Sequence, residues 1–211
     1  MTKTTKPAAR IFFTADTHFG HAGIMEMSGR RFATAEEMDE ALIRRWNDVV
    51  GPRDTVWHLG DFAMGISPER CQAIFNRLRG RKCLIRGNHD GKRVLDLPWA
   101  EPPADLKVLK VPCSDGFQDG RHQQVVLTHY AMRAWPAVHH GMVSLYGHTH
   151  DSMPGTCRSC DVGVDSWDLR PVTLAEILPR LRATSAEPEE WEIKRRQDAE
   201  RAKRDARGPA E

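Results

Sequence analysis

The chain has 211 residues, 40% of them hydrophobic and 28% charged, which is apolar material enough for one sizeable core and too much for a disordered or fibrous protein. Thirty-one basic against 29 acidic side chains leave a net charge of +2, so bulk charge makes no case for nucleic acid or an anionic membrane surface. No apolar run approaches the roughly 20 residues of a membrane span, and Met1 to Pro7 carry no signal-peptide stretch; the expectation is a soluble, cytoplasmic protein without a membrane partner.

In chain order, Ile11 to Ala15 reads as a short buried strand that runs into the polar turn Asp16-Thr-His18-Phe-Gly20-His21. Residues 34–50 form a helix: Thr34 and Glu37 make a capping box, Met38, Leu42, Trp46 and Val49 recur at helical spacing, and Gly51-Pro52 stops it. A strand at 55–59 runs into Gly60-Asp61. Ser67-Pro68 opens a second helix with proline at its first position, Cys71, Ile74 and Leu78 form its apolar stripe, and Gly80 closes it. A strand at 82–85 leads into Arg86-Gly-Asn-His-Asp90. Residues 106–112 and 122–129 read as a hairpin packed on a second sheet, ending at Thr128-His129, and a strand at 143–146 ends at Gly147-His-Thr-His150. Thr173 and Glu176 box a short helix over 173–182, and 183–211 is a charged, solvated helical tail with acidic and basic residues paired at i, i+4. The division is an N-terminal extension (1–10), one α/β domain (11–182) and the tail.

Five cysteines, Cys71, Cys83, Cys113, Cys157 and Cys160, are too few and scattered to staple the chain. Cys157-Arg-Ser-Cys160 lacks a second pair and reads as two incidental thiols. Histidine is the unusual count, ten in all, half of them beside Asp, Asn and Gly at strand ends. In a layered α/β fold, functional groups gather at the carboxyl ends of strands, so these clusters converge. They offer Asp16, His18, Asp61, Asn88, His129, His148 and His150, more ligands than one ion uses, and a carboxylate can bridge two; the set suits a pair of divalent ions roughly 3.5–4 Å apart. Imidazole and oxygen donors without thiolate favour manganese, iron, zinc or cobalt over calcium.

The order Asp16-x-His18, Gly60-Asp61, Gly87-Asn-His-Asp90, His129 and Gly147-His-x-His150 resembles the calcineurin-like metallophosphoesterases over residues 11–182. Asp16-Thr-His-Phe-Gly-His21 and Gly163-Val-Asp-Ser-Trp167 are similar to a compact bacterial subgroup. The resemblance implies a four-layer α/β/β/α sandwich in one domain. It further implies one ion held by Asp16, His18, Asp61 and His150 and a second by Asp61, Asn88, His129 and His148, with manganese the first choice in assay and iron, zinc, cobalt or nickel the alternatives. A hydroxide shared by the ions then attacks phosphorus in line, while His89, left over from the ligand count, protonates the leaving oxygen and Asp90 orients or supports it.

His21, Arg86 and Arg133 are candidate substrate contacts; against this, His21 caps its own turn and the two arginines pair with carboxylates. Tyr130 and Trp135 form an aromatic wall or, the favoured reading, are buried. His58 is structural or on the surface, and His139-His140 is loop. Short connecting segments without a cap domain leave the site open to varied phosphate esters, nucleotides and nucleic acid ends included, which tips the expectation toward a phosphodiesterase. The alternatives are a phosphomonoesterase acting on nucleotides or phosphoproteins, a catalytically silent metal-binding scaffold, and a nucleic-acid-binding protein that uses Lys194-Arg-Arg196 and Lys203-Arg204.

Overall fold

The structure is a computed structural model that describes residues 8–118 and 120–205. Three short parallel strands, β1 (Ile11–Thr14), β2 (Thr55–His58) and β3 (Arg81–Leu84), follow one another with helices between them: α1 (Ala22–Met27) and α2 (Ala35–Val49) in the first crossover, α3 (Pro68–Arg77) in the second. After α4 (Lys92–Leu95) come β4 (Leu106–Pro112) and β5 (His122–Thr128), paired antiparallel as the expected hairpin, then β6 (Val143–Tyr146) and β7 (Ser159–Asp161), both parallel to β5. The two-residue β8 (Val172–Thr173) returns to pair antiparallel with β1, and α5 (Leu174–Ala183) and α6 (Glu189–Asp205) end the described chain. The sheets run β3-β2-β1-β8 and β4-β5-β6-β7.

Alternation along the strands divides the core. Phe12, Val56 and Leu84 face α2 and α3, packing on Met38, Leu42, Trp46, Ile74 and Phe75. Their neighbours Phe13, Trp57 and Cys83 turn the other way and meet Val125, Leu127, Val143 and Leu145 of the second sheet, with α5 closing the end of that core through Ile177 and Leu178. The outer face of the second sheet carries a smaller cluster of Val126, Trp135, Val138 and Met142, onto which Trp191 of α6 packs. The architecture is thus two sheets face to face, flanked by helices, in a single domain, with the outermost layer reduced to the turn Val138–His140 and the start of α6.

Helix ends follow the expected chemistry with small departures. The Thr34 hydroxyl accepts from Glu37 N–H, but the Glu37 carboxylate takes the amide of Ala33 and not that of Thr34. Helix α3 ends at Arg77, short of Gly80, because Leu78 leaves helical geometry to enter the core. Thr173 and Glu176 form the full capping box of α5. The tail is helical, but its first residues are fastened to the body: Glu189 pairs with Arg133 and Glu190 with His139. Residues 1–7 and 206–211, parts of the expected extension and tail, lie outside the described residues. No described helix is long and apolar enough to cross a membrane.

Candidate metal centre

Each strand that ends at the upper rim passes straight into a polar turn, and the turns are laced to one another. Asp16 N–H donates to Gly60 C=O and His18 N–H to Asp61 C=O, which locks the first two loops in register. Asp16, His18, Asp61, His148 and His150 all have positive φ, between 47° and 69°, a conformation uncommon for non-glycine residues and concentrated at functional sites. The glycines beside them are there for space. A Cβ on Gly147 would stand 2.6 Å from Asp16 Oδ2, and one on Gly60 (φ 96°) would stand 2.5 Å from His129 Nδ1.

Two groups of donors result. Asp16, His18 and His150 bring one atom each within 4.8 Å of one another, as do Asp61, His129 and His148. Asp61 lies between them, its Oδ2 being 3.6 Å from His18 Nε2 and 3.5 Å from His129 Nε2. Asn88 joins the second group, Oδ1 standing 2.9 Å from His129 Nε2. All seven expected ligands are therefore brought together.

The donor set fits divalent ions. His129 Nδ1 donates to the Leu59 carbonyl at 2.7 Å, which aims Nε2 at the oxygens of Asn88 and Asp61; a ring proton or a metal ion on Nε2 satisfies both oxygens. Burial pulls the His129 pKa down, but the Asp61 carboxylate outweighs it and the net direction is up. The same partners act on Asp61, where burial is outweighed by hydrogen bonds from His129 and the His89 amide, and the carboxyl is held down at about 2. In the first group, Asp16 Oδ1 and both ring nitrogens of His18 are buried without a hydrogen-bond partner. Burial lowers His18 to about 3 and keeps its imidazole neutral, as a ligand must be. Burial and then the charges of Asp161 and Asp61 raise Asp16 well above its ordinary value, a strain that a bound cation relieves.

Four residues set the first group in place, and three of them escape a sequence reading. Arg30 is buried and donates to Asp165 through Nε (2.7 Å) and to the backbone carbonyls of Asp16 and Thr17. Asp165 in turn accepts from His150 Nδ1 at 2.7 Å, beside Ser28 Oγ at 3.1 Å, so that His150 Nε2 is the nitrogen left for a metal. Asp161 carries the Gly147-to-Asp151 turn by accepting from Thr149 Oγ1 and the Asp151 amide. Only Asp165 has a signal in the sequence, in Gly163-Val-Asp-Ser-Trp167.

Around this centre the other expected residues divide. His89 is exposed, and its ring stands 5.5 Å from that of His18; His21 is half-buried, its ring 5.4 Å from that of His18. Asp90 gives both carboxylate oxygens to the amides of Gly87, Asp61 and Phe62, at 2.8–2.9 Å. It braces the loop of Asp61 to that of Asn88, and no hydrogen bond joins it to the His89 ring among the described residues. Arg86 is engaged by Asp105 and Arg133 by Glu189, each with two contacts, which is the carboxylate pairing weighed against a substrate contact in the sequence. Trp135 is buried and donates to Met142 C=O, whereas Tyr130, expected to be buried, is 52% exposed, its ring edging onto His129 and His148 and its hydroxyl 3.4 Å from Asn88 Oδ1. His58 is a core residue, 3.0 Å from Thr17 Oγ1 and packed on Trp46 and Phe62. Cys160 is buried in β7, its thiol pushed up to about 12 by that burial, so it is a packing residue and not a thiolate ligand.

Comparison with known proteins agrees with this geometry. The sequence profile of the calcineurin-like phosphoesterases matches residues 9–154. Gene 66 protein of Mycobacterium phage L5 is 32% identical over 186 residues, covering 75% of this chain and 88% of that protein. Its counterpart in phage D29 is also 32% identical, over 78% of this chain and 92% of that protein. A crystal structure of AQ665 from Aquifex aeolicus, described as a protein of unknown function, superposes with a TM-score of 0.61 at 22% identity, over 81% of this chain and 98% of that one, a likeness of fold.

Proposed function

The chain belongs to the calcineurin-like phosphoesterase family and is therefore a metal-dependent phosphoric ester hydrolase; we propose that it works with two divalent ions, manganese serving in assay, and that it cleaves phosphodiesters. The observation that carries the two-ion reading is Asp61 Oδ2, equidistant within 0.1 Å from His18 Nε2 (3.6 Å) and His129 Nε2 (3.5 Å). Asp16, His18 and His150 would hold one ion, Asn88, His129 and His148 the other, and Asp61 both. Bound there, such ions supply Lewis-acid polarisation of the phosphoryl oxygens and a lowered pKa for water.

The chain's own groups do the rest. His89 is exposed beside His18 and bound through its backbone to Asp61, so its ring is free to give a proton to the leaving oxygen. Asp90 serves this step as a positioning residue, since its three amide hydrogen bonds hold the loop from which His89 projects. His21 and Tyr130 face the centre from opposite groups and are placed to contact the two sides of an ester. The diester reading rests on openness: Asn88, His89, Tyr130 and His148 are all exposed, so a second substituent on phosphorus has room.

The experiment is a screen of Mn²⁺-loaded protein against bis-p-nitrophenyl phosphate, p-nitrophenyl phosphate, 2′,3′-cyclic nucleotides and short DNA and RNA. Diester turnover well above that of the monoester is expected. The reverse order would make it a phosphomonoesterase, and no turnover with Mn²⁺, Fe²⁺, Zn²⁺, Co²⁺ or Ni²⁺ would favour a metal-binding scaffold.

A further inference from the structure

Away from the metal centre, on the outer face of the second sheet, a cavity of about 410 Å³ is lined by Phe117, Gln118, His139, His140, Arg158 and Trp191. None of the seven candidate ligands lines it. Its chemistry is one-sided. The Arg158 guanidinium lies 3.6 Å from the centre of the Phe117 ring and 5.1 Å from that of Trp191, and its one hydrogen-bonded partner among the described residues is the Cys157 carbonyl, 2.7 Å from Nη1. No carboxylate among the described residues pairs with it, and burial presses its pKa down. Arg158 Nε and Trp191 Nε1 are both buried donors with no acceptor. His139 is satisfied by Glu190 at 3.2 Å, while His140 is exposed. A second guanidinium, Arg182, stands 5.6 Å from the centre of the Phe117 ring and is itself engaged by Asp115.

A cation that no carboxylate pairs with among the described residues, and two N–H groups without an acceptor on the residues that line one cavity, call for an acceptor that carries negative charge. A carboxylate would suit the arginine fork alone. An arginine, an indole and an imidazole among the lining residues offer donors enough for a tetrahedral group, and the volume admits more than a bare ion. We propose that this cavity is a second, non-catalytic oxyanion site that takes a phosphate group between Arg158, Trp191 and His140. Because Trp191 belongs to α6 and the histidines to the turn Val138–His140, a bound phosphate joins the tail to the body, adding to the Arg133–Glu189 and His139–Glu190 pairs.

The test uses full-length protein with ¹⁵N-labelled indoles, the Trp191 signal being assigned by its loss in Trp191→Phe. Titration with inorganic phosphate, against chloride at matched ionic strength, should move the Trp191 N–H resonance saturably. The shift should persist in Asp61→Ala, and Arg158→Met should weaken it at least tenfold. Trypsin cleavage within 189–205 should slow with phosphate, and Trp191→Phe, which keeps an aromatic ring on Arg158 but has no N–H, should show several-fold less protection; this arm stands even if Arg158→Met fails to fold. A short single-stranded DNA distinguishes the source of the phosphate: tighter, salt-sensitive movement of the same resonance identifies a nucleic-acid backbone, and response to orthophosphate alone identifies a free or terminal phosphate. A Trp191 resonance indifferent to both, or a shift that vanishes in Asp61→Ala, would overturn the proposal.

Discussion

Asp16 and His18 sit beneath the surface, and His150 is clamped to them by the buried Arg30–Asp165 pair, whereas the group around Asp61 opens to solvent through Asn88, His148 and Tyr130. The two halves differ in what holds them. The closed half is fixed by a charged network spanning Thr17 to Asp165, the open half by one histidine tautomer and by Asp90's grip on three amides. Supporting hydrogen bonds of this kind set both the orientation and the affinity of metal ligands. Under the proposed two-ion reading the closed half would retain its ion and the open half would exchange one and receive the ester, with Asp61 serving both.

The largest effect should come from removing the residue proposed to be shared. Asp61→Ala is expected to abolish stoichiometric metal at both groups and to lower kcat/KM by about 10⁴-fold or more, since each of two ions is worth at least the roughly 10²–10³-fold of a single electrostatic donor. Elemental analysis beside kinetics decides it; retention of two tightly held metals would remove Asp61 from its bridging role. Next in size, His89→Ala should leave metal content unchanged and lower alkyl ester hydrolysis by roughly 10²–10⁴-fold, while p-nitrophenyl esters of the same phosphoryl part, whose leaving group needs no proton, suffer far less. Equal losses would show that His89 acts on the phosphoryl oxygens by charge.

A smaller effect separates the halves. Asp165→Asn loosens His150 and is expected to weaken the tighter of the two metals by about 10–100-fold, with the weaker one unchanged; competition with a chelator measures both. Smallest is a pH effect away from the ligands. His58 is buried and its pKa is lowered to about 3 by that burial, so below an ordinary value near 6.5 the unfolded chain binds a proton that the folded chain refuses. Its contribution to stability is complete above about pH 6.5 and is lost as pH falls toward 3, at up to about 1.4 kcal/mol per pH unit. Urea unfolding with chelator present, at pH 7 and pH 5, should show a shallower decline for His58→Gln than for the wild type.

What could be read from the sequence was local. Five strands that each end in Asp, Asn or His announce themselves within a few residues, and so do the caps of α2, α3 and α5. The supports did not, because they join distant segments: Arg30 and Asp165 are 135 positions apart, and only the folded chain shows them as a pair. β7 and β8 have three and two residues, too few for any periodicity. Tyr130 ran against expectation because an aromatic residue after a buried strand ordinarily turns inward, yet here the neighbouring imidazoles of His129 and His148 provide the surface it lies on. Arg86 and Arg133 do pair with carboxylates, but the partners, Asp105 and Glu189, lie 19 and 56 positions away and could not be named from the sequence.

The sharing of Asp61 is tested most directly by anomalous scattering from crystals grown with Mn²⁺. Two peaks are expected about 3.5–4 Å apart, one against Asp16, His18 and His150, the other against Asn88, His129 and His148, with the Asp61 carboxylate between them. A single peak at full occupancy, or two peaks of which only one touches Asp61, would contradict the proposed two-ion centre.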